Sequence, residues 1–486
     1  MGDPESQPGE ISTELHQQLH SSFALAAAGE LAAAEDCVRA FLQECPGHTP
    51  ARMHLARLLL ARGQPTEAVP ILKKLLRDSS ALAAAHTLDI TLLLAENECR
   101  AGRLTEAETY GRQALMLAPS DARANFAVAM VCQQTRRFEE ALSLLAEGLR
   151  VQPDAAHAWV NQGLIEKRLG RLKRAIASFT QALILNPAIA PAHYSLGLIH
   201  LMRGAREEAE RAFRNALATD PRHTHAALQL ATLLRYQNRM DEAADVYREI
   251  LKYAPEDVTA CFHLDALQQP GGPARVPPQV VQTIYADEAA GRSLENSLNE
   301  RLNYQTPKIL QTTLQDIYGI ERQALNVLDL GCGSGLYGAL IRPRAKHLVG
   351  VDLSAAMIAE CRRKGVYNDL HVNDVVDYLA ETPERFDLIV AMDVLCYFGD
   401  LRPLMQQCAG LLNPNGILAC SVERVSDDSA WQFHRYGHFL HSATHLCDAA
   451  IGAGMHEIHM TECALRRELD EDRIGFVALF AMADNH

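Results

Sequence analysis

The chain has 486 residues, 48% hydrophobic and 22% charged, too many for one ordinary core and too apolar for a disordered or collagen-like polymer. Its formal net charge of −14 gives no general attraction to phosphate backbones or anionic membrane surfaces, so nucleic acid is not an expected partner. The twelve cysteines stand singly, without a CxxC pair, and read as reduced thiols.

Residues 1–18 are polar and acidic where a signal peptide would carry a basic start and an apolar run, and no stretch offers about 18 uninterrupted apolar residues. A cytoplasmic protein without membrane insertion is expected, with residues 1–14 disordered. From residue 15 to 267 the sequence repeats. Prolines recur at Pro119, Pro153, Pro187, Pro221 and Pro255, each 34 residues after the last, and each follows an alanine by twelve positions, at Ala107, Ala141, Ala175, Ala209 and Ala243. A small residue lets two helices approach closely, and the proline stops the second helix. Weaker units fit around Gly29 and Ala34, Gly63 and Ala68, and Gly102 and Ala107, with a five-residue slip at 83–87, making about seven hairpins.

The best unit carries Trp159, Gly163, Gly170, Ala175, Phe179, Ala182, Leu183 and Pro187, and resembles the tetratricopeptide pattern at nearly every signature position. The resemblance implies an all-α superhelix with a concave groove for a protein or peptide partner. Phe126, Met130, Tyr194, Leu198 and Leu201 are its candidate groove residues, inter-helix core being the alternative.

Residues 268–280 contain Pro270-Gly271-Gly272-Pro273 and Pro277-Pro278, too dense in proline and glycine for a helix, and read as a linker. Beyond it, from 281 to 486, short apolar runs alternate with amphipathic stretches, the pattern of an α/β, Rossmann-like parallel sheet. Seven strands fit, at 326–330, 347–351, 369–372, 386–392, 416–422, 455–461 and 475–482.

The first strand runs into Asp329-Leu330-Gly331-Cys332-Gly333-Ser334-Gly335, and Asp352 ends the second. Glycines serve where the backbone turns sharply and approaches a ligand closely. The Gly331 to Asp352 separation of 21 residues is near that at which a carboxylate meets ribose hydroxyls. Position 336 is Leu336, so the dinucleotide register GxGxxG fails, and residues 325–482 instead resemble a class I methyltransferase.

That resemblance implies S-adenosylmethionine as cofactor, with Gly331, Cys332, Gly333 and the adjoining Gly335 around its methionine portion and Asp329 beneath its amino group. It further assigns Asp352 to the ribose, Leu353 and Met357 to the adenine faces, and Asp374, between Asn373 and Val375, to the adenine amino group. The same resemblance implies that Asp393 faces the methyl-transfer site. Cys332 is expected to fill the loop rather than act as a nucleophile. Segments 284–287 and 302–307 resemble lid helices of bacterial fusions of tetratricopeptide repeats with methyltransferases, making Tyr285 and Tyr304 candidates for cofactor contact. His438 and His441 are candidate acceptor-site bases, with structural packing as the alternative. His434, His438, His441 and His445 have helical spacing, but a helix capped by Ser442 would break that face, and no metal is expected.

The expected reaction is methyl transfer to a small molecule or to a partner recruited by the repeats. The alternatives are a protein methyltransferase and an adaptor with a silent methyltransferase-like domain.

Overall fold

The computed structural model describes residues 13–78, 83–268, 273–283, 304–318, 324–426, 428–434, 437–468 and 471–482. The chain forms two compact units, residues 1–203 and 204–486. The first holds α1 (Thr13–Ala27), α2 (Leu31–Glu44), α3 (Thr49–Ala61), α4 (Pro65–Arg77), α5 (Ala84–Arg100), α6 (Leu104–Leu117), α7 (Ala122–Gln134), α8 (Phe138–Val151), α9 (Ala156–Arg168), α10 (Leu172–Leu185) and α11 (Ala190–Met202). The second opens with α12 (Arg206–Thr219), α13 (Thr224–Tyr236), α14 (Met240–Tyr253) and α15 (Val258–Gln268).

The repeat is visible in the backbone. The turn between paired helices carries a residue of positive φ at Gly29, Gly63, Gly102, Arg136, Gly170, Gly204 and Asn238. These positions step by 34 residues except from Gly63 to Gly102, where the step is 39, so the slip falls in one repeat; α5 there has 17 residues against 13 in α3 and α7. The alanine of each unit, from Ala34 and Ala68 through Ala107, Ala141, Ala175, Ala209 and Ala243, is 0% exposed. Pro119, Pro153, Pro187, Pro221 and Pro255 each follow the end of a helix by two residues. Phe126 is core: a Cβ on Gly148 would lie 2.3 Å from its ring, so that glycine exists to admit the phenyl. Tyr194, Leu198 and Leu201 are half-buried on α11.

After a strap at 273–283 and α16 (Thr306–Tyr318), the sheet begins. Its elements are β1 (Leu325–Leu330), α17 (Leu336–Ile341), β2 (Ala345–Asp352), α18 (Ala355–Lys364), β3 (Asp369–Val372), α19 (Val375–Glu381), β4 (Phe386–Ala391), α20 (Arg402–Leu411) and β5 (Leu412–Glu423). There follow β6 (Trp431–Phe433), β7 (Phe439–His441), α21 (Ala443–Gly452), β8 (Met455–Glu468) and β9 (Glu471–Met482). Seven strands form one sheet in the order β3-β2-β1-β4-β5-β9-β8, with β9 antiparallel to both neighbours; β6 and β7 form a separate hairpin absent from the sequence reading. Both faces are buried. In β1, Leu328 and Leu330 enter one core, whereas Val327 enters the other, as the two-residue side-chain period requires. The strand order reverses at β1 and β4, whose carboxyl ends therefore open a crevice.

Replacing Ala175, 0% exposed between two helices, with leucine forces added methylenes into a filled space. The Ala175→Leu protein should lose about 1–3 kcal/mol, read as a lower urea midpoint of the first unit with an unchanged slope.

Candidate active site

The glycine loop fills the crevice. Gly331, Gly333 and Gly335 have φ of +65°, +53° and +82°, a region costly for residues with a Cβ. A Cβ on Gly331 would also meet Val394 at 2.4 Å, so this position is doubly closed to substitution. The loop is braced from behind. Cys332 N–H donates to Val351 O at 3.0 Å, Lys364 Nζ to Ser334 O at 2.7 Å and the Cys361 thiol to Gly333 O at 3.2 Å. The Cys361 contact and burial push the Cys332 thiol well up, which leaves it no nucleophilic role.

A cleft of about 1160 Å³, open to solvent, lies over this loop. Of the residues singled out in the sequence, Asp329, Gly331, Cys332, Gly333, Asp352, Leu353, Met357, Asp374, Val375, Asp393 and Tyr304 line it, whereas Gly335 and Asn373 do not. Tyr304 is held there by its successors, for Gln305 N–H and Thr306 Oγ1 both donate to Leu465 O. Tyr285 lies outside the described residues.

The cleft acids are held in different ways. Asp352 accepts from Gly333 N–H at 2.9 Å and Ser354 N–H at 2.8 Å, and burial still raises its carboxyl above the usual range. Asp329 is 2% exposed; burial, and the Asp352 charge to a smaller extent, push it up to about 7 against the Tyr367 hydroxyl, which donates to it at 2.7 Å. Asp374 caps α19 by accepting from Val376 N–H at 2.9 Å, and its other oxygen meets Arg275 at 2.5 Å. This set fits S-adenosylmethionine: acidic side chains line the cleft as hydrogen-bond partners for a polar, cationic ligand, and the glycine loop admits close approach of the backbone.

Asp393 sits at the end of β4 with φ +54°, a conformation uncommon for a residue with a side chain. Ser421 Oγ holds it from below, accepting from its N–H at 3.1 Å. Arg466 Nη1 lies 3.7 Å from its carboxylate, Arg466 also pairs with Glu423, and Glu423 meets His438 Nε2 at 3.2 Å. Burial alone would raise Glu423, but the bond from His438 and the charges of His438, Arg466 and Arg473 bring it down to about 2. His438 thus belongs to a buried charge chain ending at Asp393 and does not line the cleft. The base role considered for His441 is corrected here. It is 0% exposed, stacks on His445 at 5.5 Å, and burial pushes it down to about 3, so it is a neutral core residue. Ser442 caps α21 by accepting from His445 N–H at 3.0 Å, which breaks the helical histidine face, and no cluster of three metal-ligating side chains occurs among the described residues.

Sequence reasoning missed three participants. The strap carries Arg275, Val276, Val281 and Gln282 into the cleft wall. Arg466 and Glu423 approach Asp393 from strands distant in sequence. Tyr367, just before β3, lies under the loop, and its signal was present: Cβ atoms on Gly338 and Gly350 would lie 2.2 and 2.9 Å from its ring system. Glycines inside a helix and a strand mark close approach of another group.

A family model described as a methyltransferase domain matches residues 300–448. Tetratricopeptide repeat models match residues 25–88 and 129–188, and that of the middle TPR-like domain of cilia and flagella-associated protein 70 matches residues 169–268. The ubiquinone biosynthesis O-methyltransferase of Xylella fastidiosa (strain 9a5c) is 34% identical over 100 residues, 20% of this chain and 41% of that protein. The enzyme of the same name from Coxiella burnetii (strain Dugway 5J108-111) is 30% identical over 100 residues, 20% of this chain and 43% of that protein. The chain thus spans less than half the length of these curated relatives. Among solved structures, the N-methyltransferase NodS from Bradyrhizobium japonicum WM9, in complex with S-adenosyl-l-homocysteine, aligns with TM-score 0.34 and 21% identity over 42% of this chain and 98% of that one. The Cut9–Hcn1 hetero-tetramer of APC/C aligns with TM-score 0.41 and 18% identity over 45% of this chain and 42% of that one. The chain therefore carries tetratricopeptide repeats followed by a methyltransferase domain built on a seven-stranded sheet.

Asp329 gives a signed pH dependence. Its carboxyl rises from 3.8 to about 7 on folding, so the folded chain keeps a proton that the unfolded chain releases. The stability it contributes is complete below about pH 4 and is lost as pH rises through about 7. In the ligand-free protein, Asp329→Asn should flatten the fall in urea midpoint between pH 5 and pH 8, and equal slopes in both proteins would discount the buried acid.

Proposed function

We propose that this chain transfers the methyl group of S-adenosylmethionine to a small molecule or to a partner recruited by its repeats. The observation that carries this reading is the convergence of Asp329, Asp352, Asp374 and Asp393 on one cleft beneath a positive-φ glycine loop. In it, Gly331, Cys332 and Gly333 bear on the methionine portion, with Asp329 beneath its amino group and Asp352 on the ribose hydroxyls. Leu353 and Met357 flank the purine, and Asp374 takes its amino group.

The cofactor supplies a methyl already activated on a sulfonium. The protein therefore has mainly to align the acceptor and keep water out. Asp393 is the group proposed to orient the acceptor, taking a hydrogen bond from its O–H or N–H. Arg466 keeps that carboxylate compensated and Glu423 keeps Arg466 in place, and no proton passes along the chain through Arg466, because a guanidinium does not deprotonate. Val276, Met392, Val394, Tyr397 and Phe398 give the cleft its apolar walls.

The proposed catalytic unit includes α12–α15 as well as the sheet, because residues 204–486 form one compact body. Phe262 of α15 packs edge-on to Phe433 of β6 at 5.5 Å, and a Cβ on Gly437 would lie 3.2 Å from His263. The groove of the repeats is proposed to hold a protein or peptide.

Calorimetry with S-adenosylmethionine should show saturable binding to the full chain and a loss of at least roughly tenfold in Asp352→Ala, since two loop N–H donors lose their acceptor. Absence of binding by the folded wild-type chain would end this reading. Once an acceptor is found, deleting residues 1–203 distinguishes its source: methylation of a free small molecule survives the deletion, and methylation of a recruited protein does not.

A further inference from the structure

The strap at 273–283 is held to the cleft by more than proximity. Val276 N–H donates to Tyr397 O at 2.8 Å, Gly399 N–H donates to Ala274 O at 2.9 Å, and Arg275 bridges Phe398 in antiparallel register. Val276 and Val280 are each 1% exposed, in a cluster with Phe262 and Phe439. Gln282 Nε2 donates to Leu353 O at 3.3 Å, on the wall proposed to flank the purine. This anchorage fixes the guanidinium of Arg275 between two partners. One face lies over the Phe398 ring at 4.6 Å from its centroid, and one edge reaches Asp374 Oδ2 at 2.5 Å.

Two features of this pair bear on a ligand. Asp374 is 7% exposed and lines the cleft, so its charge is compensated mainly by Arg275. The Arg275 Nε–H is buried, and no hydrogen-bond partner is found for it among the described residues, although Arg275 also lines the cleft. A buried donor of this kind is costly unless something in the cleft accepts from it. The pair therefore sets the Asp374 acceptor beside a guanidinium donor that lacks an acceptor of its own. A 6-aminopurine edge matches it, offering the amino hydrogens and an adjacent ring nitrogen. A 6-oxopurine edge is reversed, with an oxygen facing the carboxylate.

We infer that Arg275 is a specificity-determining residue of the cofactor site, holding the Asp374 carboxylate in place as an acceptor so that the cleft selects a 6-aminopurine over its 6-oxo counterpart. The inference rests on the reading that this cleft holds S-adenosylmethionine. Removing the guanidinium leaves Asp374 Oδ2 without the partner that fixes it, so the carboxyl is held only through its other oxygen on Val376 N–H. An acceptor no longer held in one orientation reads the purine edge less sharply, and the discrimination falls.

The test is calorimetric titration of the full chain with S-adenosylhomocysteine and with S-inosylhomocysteine. Arg275→Gln keeps an aliphatic stem and a neutral donor, and Arg275→Lys restores the charge. We expect the wild-type chain to prefer the adenosyl ligand by roughly tenfold or more, Arg275→Gln to bring the ratio towards one, and Arg275→Lys to recover part of it. In an Asp374→Asn background, Arg275→Gln should change adenosyl binding less than about twofold, because the pair is already broken. An unchanged amino-to-oxo ratio in Arg275→Gln would overturn the inference whether or not affinity falls, because a merely structural strap weakens both ligands alike. Wild-type protein that binds neither ligand would overturn the cofactor reading itself, a result distinct from that one.

Discussion

The hydrogen bond from Gly333 N–H to the Asp352 carboxylate is the constraint on which the rest of the cleft depends. Strands β1 and β2 run parallel with Leu330 opposite Val351, so both end at the same edge of the sheet. The chain leaving β1 must turn within a few residues to enter α17, and only the positive φ of Gly331, Gly333 and Gly335 allows it. The bond at 2.9 Å fixes that turn to the end of β2, and the Ser354 N–H at 2.8 Å fixes the same carboxylate to the start of α18. One acid thus joins two strand ends and a helix start while its remaining lone pairs face the cleft. Its dual duty explains why backbone donors, not a cation, hold it.

Four acids near one cleft would repel one another if all were ionised and bare. Each is handled differently. Asp329, sealed under the loop, keeps its proton to about pH 7, Asp352 is solvated by backbone N–H groups, and Asp374 is paired with Arg275. Asp393 sits at the end of a chain in which Arg466 separates it from Glu423, itself brought down to about 2. Cofactor binding brings a positive sulfonium and an ammonium into this field, so a cleft whose charge is only partly compensated is suited to a cationic ligand.

Legibility followed the range of the interaction. The repeats were readable because an alanine packed to 0% exposure and a helix-stopping proline recur at a fixed step, and one hairpin needs only its own residues to declare itself. The glycine loop and Asp352 were readable for the same reason, since strand, turn, helix and acid lie within one βαβ unit. Arg275 and Arg466 were not. Arg275 meets Asp374 across 99 residues of chain, and Arg466 meets Glu423 across 43, distances over which no local pattern carries information. The proline-rich stretch read as a linker because Pro270, Pro273, Pro277 and Pro278 exclude a long helix, yet an extended strand edge tolerates proline equally well, and that is the form 274–276 takes against Tyr397–Gly399. His438 and His441 stayed open between an acceptor-site base and structural packing because histidine spacing says nothing of burial.

The aromatic cluster of Phe262, Trp431, Phe433 and Phe439 shows why the strap cannot be a passive connector. Val276, Val280 and Val281 complete this cluster, and Leu353 and Tyr397 at its edge also line the cleft. One side of the strap is thus packed on the last repeat helix and the other forms cofactor-site wall. Val276 does both, so any shift of α15 large enough to open this cluster must also move Arg275, one residue away, relative to Asp374. A close-packed core resists small displacements and yields in discrete steps. The last repeat helix and the Asp374 end of the cleft therefore share a single packed element.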